Sequence, residues 1–427
     1  MARIESVEFV PHRSVIDEGR VHWEALSGGI INALPQIFWA DAQPWREANL
    51  WLMERASSRK IDLKTVQMKA ACIHAYANWL ELSGIKWWDF PTRKDQRCVF
   101  RYRGYLIETR ARSAIAPSTA SLRMRVVIEF YRWLKATGIF APNGAMWHER
   151  NINISSTTAF GFERTISVTT TDLAIPNRSR PGEQLENGLM PVSACVRDRI
   201  LRFCQEHMSQ EIFLLLASGF FTGMRLQTIT DLKVQTLINA VPDPASPDLY
   251  RLAVGPGSTP SVATKFDVTG HIWIPKDLLD VLLDYAYSTR RLKREIKASA
   301  INKDLVFLTR YGNPYARRGS DKSVAVNVEM HKLRKSGRAN GIKELSDFRF
   351  HQTRCTFATE LARLSISAGG SLHAVAIVKE ALLHLHESTS LKYIRFVEKT
   401  PIKQDMANMF SRAFMGLSPD TRAGHES

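Results

Sequence analysis

The sequence predicts a mainly α-helical fold with a small antiparallel β-sheet. Apolar residues recur at helical spacing through residues 44–147, and again through residues 193–207 and 211–221. Two short alternating segments, residues 250–254 and 271–275, read as paired strands. Helices gathered around one short pair of strands indicate an α+β arrangement rather than a parallel sheet.

Length and charge narrow the possible functions. A chain of 427 residues predicts two or three domains. Its 58 Lys and Arg residues exceed its 42 Asp and Glu residues, which gives a net charge of +16. Such an excess favours a polyanionic partner, nucleic acid before membrane, because neutralising phosphates releases counterions.

Cysteine usage and hydropathy exclude other classes of protein. The five cysteines form no C-x-x-C pair and no zinc spacing, so we expect no metal, no cofactor and a reducing compartment. The N-terminus carries no apolar run of signal-peptide length. An uninterrupted run of about 18 apolar residues is also lacking, so we expect no membrane span.

The first 150 residues divide into a short extension and a helical module. Residues 4–10 alternate like a strand within an extension, residues 1–40, that either packs on the next domain or reaches beyond it. Helical spacing then predicts a helix that stops at Ser83-Gly84, a basic helix over residues 100–110, and a helix that begins with Ser118 as N-cap.

Arginine residues recur along these helices. Any single arginine is best explained as part of a solvated helix face, whereas the group is better explained as a lining for DNA phosphates. The candidate DNA-binding residues are Arg101, Arg103, Arg123, Arg125 and Arg132.

The next segment changes composition. Residues 151–190 are rich in Ser and Thr, and residues 177–182 read as an exposed turn. We interpret this segment as an interdomain linker, part of which could form strands.

Three short motifs in the second half carry the candidate chemistry. Gly223 permits a tight turn that presents Arg225 at the start of a helix. His351 and Arg354 are three residues apart, so both could reach one anionic group from a helix face. His384 precedes Tyr393 by nine residues, across a Ser/Thr cluster suited to a helix N-cap.

These motifs, in this order, resemble those of the tyrosine recombinases, the phage-integrase-like family, over about half of the chain. The resemblance implies an integrase-like catalytic domain that forms a clamp on DNA together with a helical, SAM-like core-binding domain. The expected domains are an N-terminal extension (1–40), a core-binding domain (41–150), a linker (151–190), a catalytic domain (191–400) and a C-terminal helix with its tail (401–427).

The resemblance also implies a metal-free mechanism. Tyr393 would attack DNA and form a 3′-phosphotyrosyl bond, while Arg225 and Arg354 would hold the phosphate oxygens through their planar guanidinium groups. His351 would accept or shuttle the tyrosyl proton, and His384 would donate a hydrogen bond to the phosphate.

The family places a catalytic lysine on a hairpin, which makes Lys265 the candidate to protonate the leaving 5′ oxygen. A surface lysine is an equally good explanation for this residue. Thr228 stands where the family usually has an acidic residue that orients the arginine, so Arg225 needs another anchor, for which Asp231 is a candidate.

Two further positions differ from the family pattern. Cys355 replaces a frequent histidine, and Leu383 replaces the usual glycine before His384. Because the bulk of Leu383 could displace His384, His386 is a rival for its role.

The expected function is a site-specific DNA recombinase, the integrase or transposase of a mobile element. A type IB topoisomerase-like enzyme and an inactive DNA-binding relative are the alternatives. Expected partners are double-stranded DNA, further copies of the chain in a synaptic tetramer, and accessory DNA-bending or partner recombinase proteins, but no membrane.

An apolar stripe within residues 402–413 would dock on a neighbouring subunit or fold back on its own domain. The expected location is the cytoplasm, on the nucleoid of a bacterial host.

Overall fold

A computed structural model describes residues 1–25, 29–58, 61–157, 163–177 and 185–414 of the chain. The chain forms two compact units, unit 1 (Met1–Pro181) and unit 2 (Gly182–Ser427). The described elements are mostly α-helices with small antiparallel sheets, which confirms the predicted fold class. The division between the units falls inside the segment predicted as a linker.

Unit 1 opens with four strands. β1 (Arg3–Phe9) pairs antiparallel with β4 (Ile31–Phe38), and β2 (His12–Asp17) forms a hairpin with β3 (Arg20–Ala25). The strand predicted over residues 4–10 is therefore confirmed. Leu34 and Ile37 on β4 are buried in the same core as the helices that follow, so the extension packs on the helical module.

Four helices form the rest of this module: α1 (Arg46–Ser57), α2 (Leu63–Ser83), α3 (Cys98–Ala111) and α4 (Pro117–Ala136). As predicted, α2 ends at a glycine, Gly84, in the left-handed conformation. The prediction of Ser118 as an N-cap is wrong. Ala116 takes that position and Pro117 is the first helical residue, where its missing N–H costs no hydrogen bond.

A long hairpin occupies part of the predicted linker. β5 (Glu149–Thr157) pairs antiparallel with β6 (Glu163–Thr171). The chain then buries Leu173 and Ile175 in the core of unit 1. Residues 151–157 and 163–177 are therefore structured as part of unit 1, because their Thr, Val and Ile residues suit extended chain as well as loops. The exposed turn predicted over residues 177–182 lies, apart from Asn177, outside the described residues.

Unit 2 contains a three-stranded antiparallel sheet in the order β7 (Val241–Asp243), β8 (Ser246–Val254) and β9 (Gly270–Pro275), which includes both predicted strands. Its helices are α5 (Ala194–His207), α6 (Gln210–Thr222), α7 (Leu226–Thr230), α8 (Val234–Ile238), α9 (Lys276–Ala286), α10 (Thr289–Glu295), α11 (Val324–Ala339), α12 (Gln352–Ala381) and α13 (Glu387–Phe414). The apolar helix α6 lies in the main core, where its residues 214–216 are buried.

The two last helices position most of the candidate site. Among the described helices, α12 is long and apolar enough to cross a membrane. Gly370 interrupts its helical geometry, and the helix packs against α6 and α13. Tyr393 lies in α13, which continues through Pro401. The boundary predicted between residues 400 and 401 thus falls inside one helix. The side chains of the predicted apolar stripe, residues 402–413, lie outside the described part of the chain.

Candidate functional site

Four side chains from three separate segments of unit 2 surround one carboxylate, that of Glu186. The nearest contact is from His384, whose Nε2 donates to Glu186 Oε1 at 2.9 Å. The Nε2 of His351 donates to Oε2 at 3.2 Å. The two arginines complete the ring, with Arg225 Nη2 at 3.5 Å from Oε2 and Arg354 Nε at 3.8 Å from Oε1.

Glu186 is strongly held in its ionised form. It lies on a single 3₁₀ turn, Glu186–Gly188, and its side chain is 12% exposed. Burial alone would raise the pKa of this carboxyl. The hydrogen bonds from His351 and His384, with the charges of Arg354 and Arg225, outweigh that effect and hold the pKa well below its ordinary value.

Gly223 sets the position of Arg225. It ends α6 with a φ of +66°, a conformation that L side chains rarely adopt. A Cβ at this position would lie 2.4 Å from a ring carbon of Phe357 and 2.6 Å from a methyl carbon of Leu382. The tight turn brings Arg225 to the N-cap of α7, as the sequence predicted, with its side chain largely buried.

Arg354 ties three segments together. Its Nη1 donates to the carbonyl oxygen of Gly223 at 2.6 Å, and its Nη2 donates to that of Leu382 at 2.9 Å. The third donor, Nε, faces Glu186 and has no hydrogen-bond partner among the described residues. Burial and the nearby charge of Arg225 lower the pKa of Arg354 to about 10, so its guanidinium stays charged at neutral pH.

His384 is buried and faces the same carboxylate. Burial lowers the pKa of His384 to about 4, despite the opposing effect of Glu186, so the ring is neutral at pH 7. Because Nε2 carries the proton toward Glu186, Nδ1 accepts from the Ser390 hydroxyl at 2.9 Å. The rival His386 is exposed. Leu383 adopts a left-handed φ of +50°.

Tyr393 is buried beside this cluster. Its ring lies parallel to that of His384, with 6.1 Å between the centroids. Its hydroxyl donates to the Sγ of Cys355 at 3.9 Å. Burial, followed by the Cys355 thiol and the Glu186 charge, raises the pKa of Tyr393 well above its ordinary value. The hydroxyl is therefore protonated in this arrangement.

Lys265 lies on the connection between β8 and β9, in a 3₁₀ turn, and its side chain is exposed. It lines one small cleft together with Arg225 and Arg354. The expectation that Asp231 anchors Arg225 is wrong. Its carboxylate instead accepts the backbone N–H of Ala263 at 2.7 Å, two residues before Lys265, and pairs with Lys233 and Arg318.

The structure places the five arginines of unit 1 in different surroundings. Arg101 and Arg125 are exposed, whereas Arg123 is half-buried. Arg132 pairs with Glu149 at 2.9 Å on the surface. Arg103 has a buried Nε that has no partner among the described residues. Residues two apart on a helix point to different faces, so Arg101 and Arg103 do not share one helix face, and neither do Arg123 and Arg125.

Sequence reasoning missed Glu186. It lies within the segment predicted as a linker, and neither its spacing nor its neighbours marked it. Among the described residues, no group of three or more His, Cys, Asp or Glu side chains is arranged to hold a metal ion.

Similar proteins are found among solved structures but not by comparison of sequences. No protein-family profile matches the chain, and no curated protein matches it. Among solved structures, an integrase of the Tn1549 transposon (residues 82–397), in complex with circular intermediate DNA, is similar at 12% identity and a TM-score of 0.49. That likeness covers 81% of this chain and 94% of the other.

A second similar structure is a dimer of lambda integrase (residues 75–356) bound to a COC′ core site. Its identity is 14% and its TM-score 0.47, over 82% of this chain and 94% of the other. Another structure of a lambda integrase dimer bound to a COC′ core site matches at 13% identity and a TM-score of 0.48, over 82% of this chain and 76% of the other. Likenesses this distant do not establish what the chain binds or which reaction it catalyses.

Proposed function

We propose that this chain is a tyrosine-type, site-specific DNA recombinase that serves a mobile element as its integrase or transposase. One observation carries the proposal. Two arginines and two histidines, brought together from three segments, surround a single anion next to a tyrosine of the same unit. A phosphodiester also presents one negative charge on two oxygens, so this ring of donors suits a DNA phosphate.

The chemistry follows from the properties of these groups. The Tyr393 oxygen attacks phosphorus, the bond from phosphorus to the 5′ oxygen breaks, and a 3′-phosphotyrosyl bond forms. His351 accepts the tyrosyl proton, and Lys265 supplies a proton to the leaving 5′ oxygen. A 5′ hydroxyl of another strand reverses these steps, so strands are exchanged without an external energy source.

Charge stabilisation is the main contribution of the arginines. The negative charge on the phosphate oxygens grows in the transition state, and Arg225 and Arg354 carry fixed positive charges directed at that position. Neutral His384 adds a donor through Nε2. Because these groups are already in place, little reorganisation accompanies the reaction.

The test is covalent capture on a nicked suicide substrate built from DNA that flanks the gene. The wild-type protein should give an adduct that survives denaturant and whose modified peptide contains Tyr393. Tyr393→Phe should bind the same DNA and give no adduct. Tyr315→Phe is the matched control, because Tyr315 is another buried tyrosine of unit 2 outside the cluster. Adduct formation by Tyr393→Phe would overturn the assignment.

A plasmid assay separates the proposed recombinase from its alternatives. Inversion or excision that depends on two copies of the flanking DNA supports a recombinase, whereas relaxation of any supercoiled plasmid supports a topoisomerase. DNA binding without any adduct would identify an inactive relative.

The proposal extends to assembly and location. Recombination of two sites requires four active sites, so we expect the chain to act as a tetramer on synapsed DNA, in the bacterial cytoplasm. Removing residues 401–427, which carry the predicted apolar stripe, should weaken synapsis and strand exchange while single-site binding is retained. Normal recombination by this truncated protein would contradict a role for these residues in assembly.

A further inference from the structure

The carboxylate of Glu186 occupies the position that the proposed function assigns to the DNA phosphate. All four donors that would bind the phosphate contact Glu186 instead. A carboxylate and a phosphodiester carry the same charge and use the same donors, so both cannot occupy this ring at once. Glu186 must leave before DNA can be cleaved.

The fit of Glu186 in the ring is incomplete. The buried Nε of Arg354 lies 3.8 Å from Oε1, beyond hydrogen-bond distance, and has no other partner among the described residues. An unpartnered buried donor on a charged group is costly. A tetrahedral phosphate, which is wider than a planar carboxylate, would satisfy this donor. The ring thus suits a larger anion than the one it holds.

The residue next to Glu186 packs in the same apolar cluster as the nucleophile. Leu185 is buried in one cluster with Cys355, Leu382 and Tyr393. Tyr393 has no exposed surface in this arrangement and cannot reach a DNA strand. One short segment therefore blocks the phosphate position through Glu186 and adds Leu185 to the cluster that buries the tyrosine.

Other contacts also hold this segment, defined here as residues 185–192 and termed the Glu186 segment. The Nε2 of Gln352 donates to the carbonyl oxygen of Met190 at 3.0 Å, in an exposed position. The backbone N–H of Val192 donates to the Thr356 hydroxyl, also at 3.0 Å, in a partly buried position. Leu189 packs against the same cluster as Leu185, and Val192 packs against the main core of unit 2.

We infer that the Glu186 segment is an internal inhibitor, in which Glu186 substitutes for the DNA phosphate until DNA displaces it and uncovers Tyr393. This inference rests on the proposed function and concerns the regulation of the same site. Displacement by a chemically similar anion needs no separate effector, since the DNA itself competes for the ring. The chain then stays inactive wherever DNA does not reach the ring.

The test measures competition directly, with inorganic phosphate titrated calorimetrically into the full-length protein. Glu186→Gln keeps the shape of the side chain and removes its charge. If the segment is displaced in a tenth or less of the wild-type molecules, the variant should bind phosphate about tenfold or more tightly than the wild type. Glu344→Gln is the matched control, because Glu344 also pairs with an arginine of unit 2, Arg199, at 3.1 Å. Adding Arg225→Ala to Glu186→Gln should abolish the gain.

A second variant guards against poor folding, since removing Glu186 leaves buried positive charge unpaired. Leu185→Ala retains every charge and loosens the segment, so it should also bind phosphate more tightly than the wild type. Unchanged phosphate affinity in both variants would overturn the inference. Loss of both phosphate binding and adduct formation in Glu186→Gln would also overturn it, because Glu186 would then be a positioning residue.

The outcome for this inference is separable from that for the proposed function. Phosphate titration requires no cleavage, whereas the Tyr393 adduct requires no change at Glu186. Tighter phosphate binding without any adduct in the wild type or the variants would retain the internal inhibitor and refute the recombinase. An adduct at Tyr393 with unchanged phosphate binding would support the recombinase and refute the internal inhibitor.

Discussion

The imidazole of His384 lies parallel to the phenol ring of Tyr393, with 10° between the ring planes and 6.1 Å between the centroids. The same imidazole donates through Nε2 to the anion in the ring of donors. His384 therefore contacts both Tyr393 and the anion position. A change in its charge or orientation should affect both.

The first prediction concerns the pH dependence of stability. The folded-state pKa of His384, about 4, lies below its ordinary value of 6.5 because the ring is buried. The unfolded chain thus binds more protons between these values, so stability is full above pH 6.5 and falls as the pH drops toward 4. The loss should reach at most about 3 kcal/mol.

Urea denaturation at a series of pH values measures this loss. His384→Gln should flatten the stability profile between pH 6.5 and 4. His386→Gln, a change of an exposed histidine two residues away, should leave the profile as in the wild type. Identical profiles for all three proteins would refute the buried, neutral state of His384.

The second prediction separates the two arginines. Arg354→Lys should abolish the adduct and destabilise unit 2, because one ammonium cannot reach both carbonyl oxygens and the anion. The expected cost is roughly 1–3 kcal/mol for each carbonyl left unsatisfied. Arg225→Lys should lower adduct formation by about 10²–10³-fold with a much smaller change in stability, since no carbonyl partner is described for Arg225. Adduct yield and urea denaturation measure the effect of both changes. Equal destabilisation by the two changes would contradict a structural role for the two hydrogen bonds from Arg354 to carbonyl oxygens.

The third prediction concerns Lys265 and the residue that positions its hairpin. Asp231 fixes the hairpin by accepting the N–H of Ala263. Lys265→Ala and Asp231→Ala, which removes the acceptor, should therefore both slow cleavage. Replacing the bridging 5′ oxygen of the substrate by sulfur gives a leaving group that needs no proton, and it should restore the rate of both variants.

Arg225→Ala is the control, because the sulfur substrate does not replace charge on the phosphate oxygens. Single-turnover cleavage of the oxygen and sulfur substrates measures the rescue. Failure of the sulfur substrate to rescue Lys265→Ala would leave that residue as a surface lysine. If the sulfur substrate rescues Lys265→Ala but not the Asp231 variant, Asp231 has a purely structural role.

The fourth prediction compares two glycines that follow helices with similar positive φ. Gly223→Ala places a methyl group against Phe357 and Leu382, on the backbone that presents Arg225. Gly138 has a φ of +71° and open space around it. Gly138→Ala should cost about 1 kcal/mol of stability from backbone strain alone, and Gly223→Ala clearly more. Gly223→Ala should also lose adduct formation. Thermal unfolding and adduct yield test this, and equal effects would show that the close packing at Gly223 can relax.

The sequence predicted those parts of the fold and site that local spacing encodes. The helical period marked α2 and α6, and Gly223 marked the turn before Arg225. The spacing of His351 and Arg354 placed both on the same first turn of α12, where they face one anion. The roles of these side chains remain proposals.

Contacts between distant parts of the chain were not predictable in the same way. Glu186 contacts His384, which lies 198 residues away in the sequence, and no local sequence pattern predicts this contact. Proximity in sequence makes Asp231 a candidate anchor for Arg225, but its carboxylate binds the backbone N–H of Ala263 instead. The composition of the β5–β6 hairpin predicts a linker, because Ser and Thr occur in turns and in strands.

Arg354 donates hydrogen bonds to two backbone carbonyl oxygens, and these bonds affect what an arginine at this position means in a related sequence. A descendant that had lost catalysis would still need a fork of donors at position 354 to keep three segments of its fold together. Selection for folding alone would therefore preserve that arginine after activity had gone. Its presence in a related sequence is weak evidence of an active enzyme. Under the proposed function, Arg225, which contacts the anion and has no described carbonyl partner, is the position whose loss would mark inactivity.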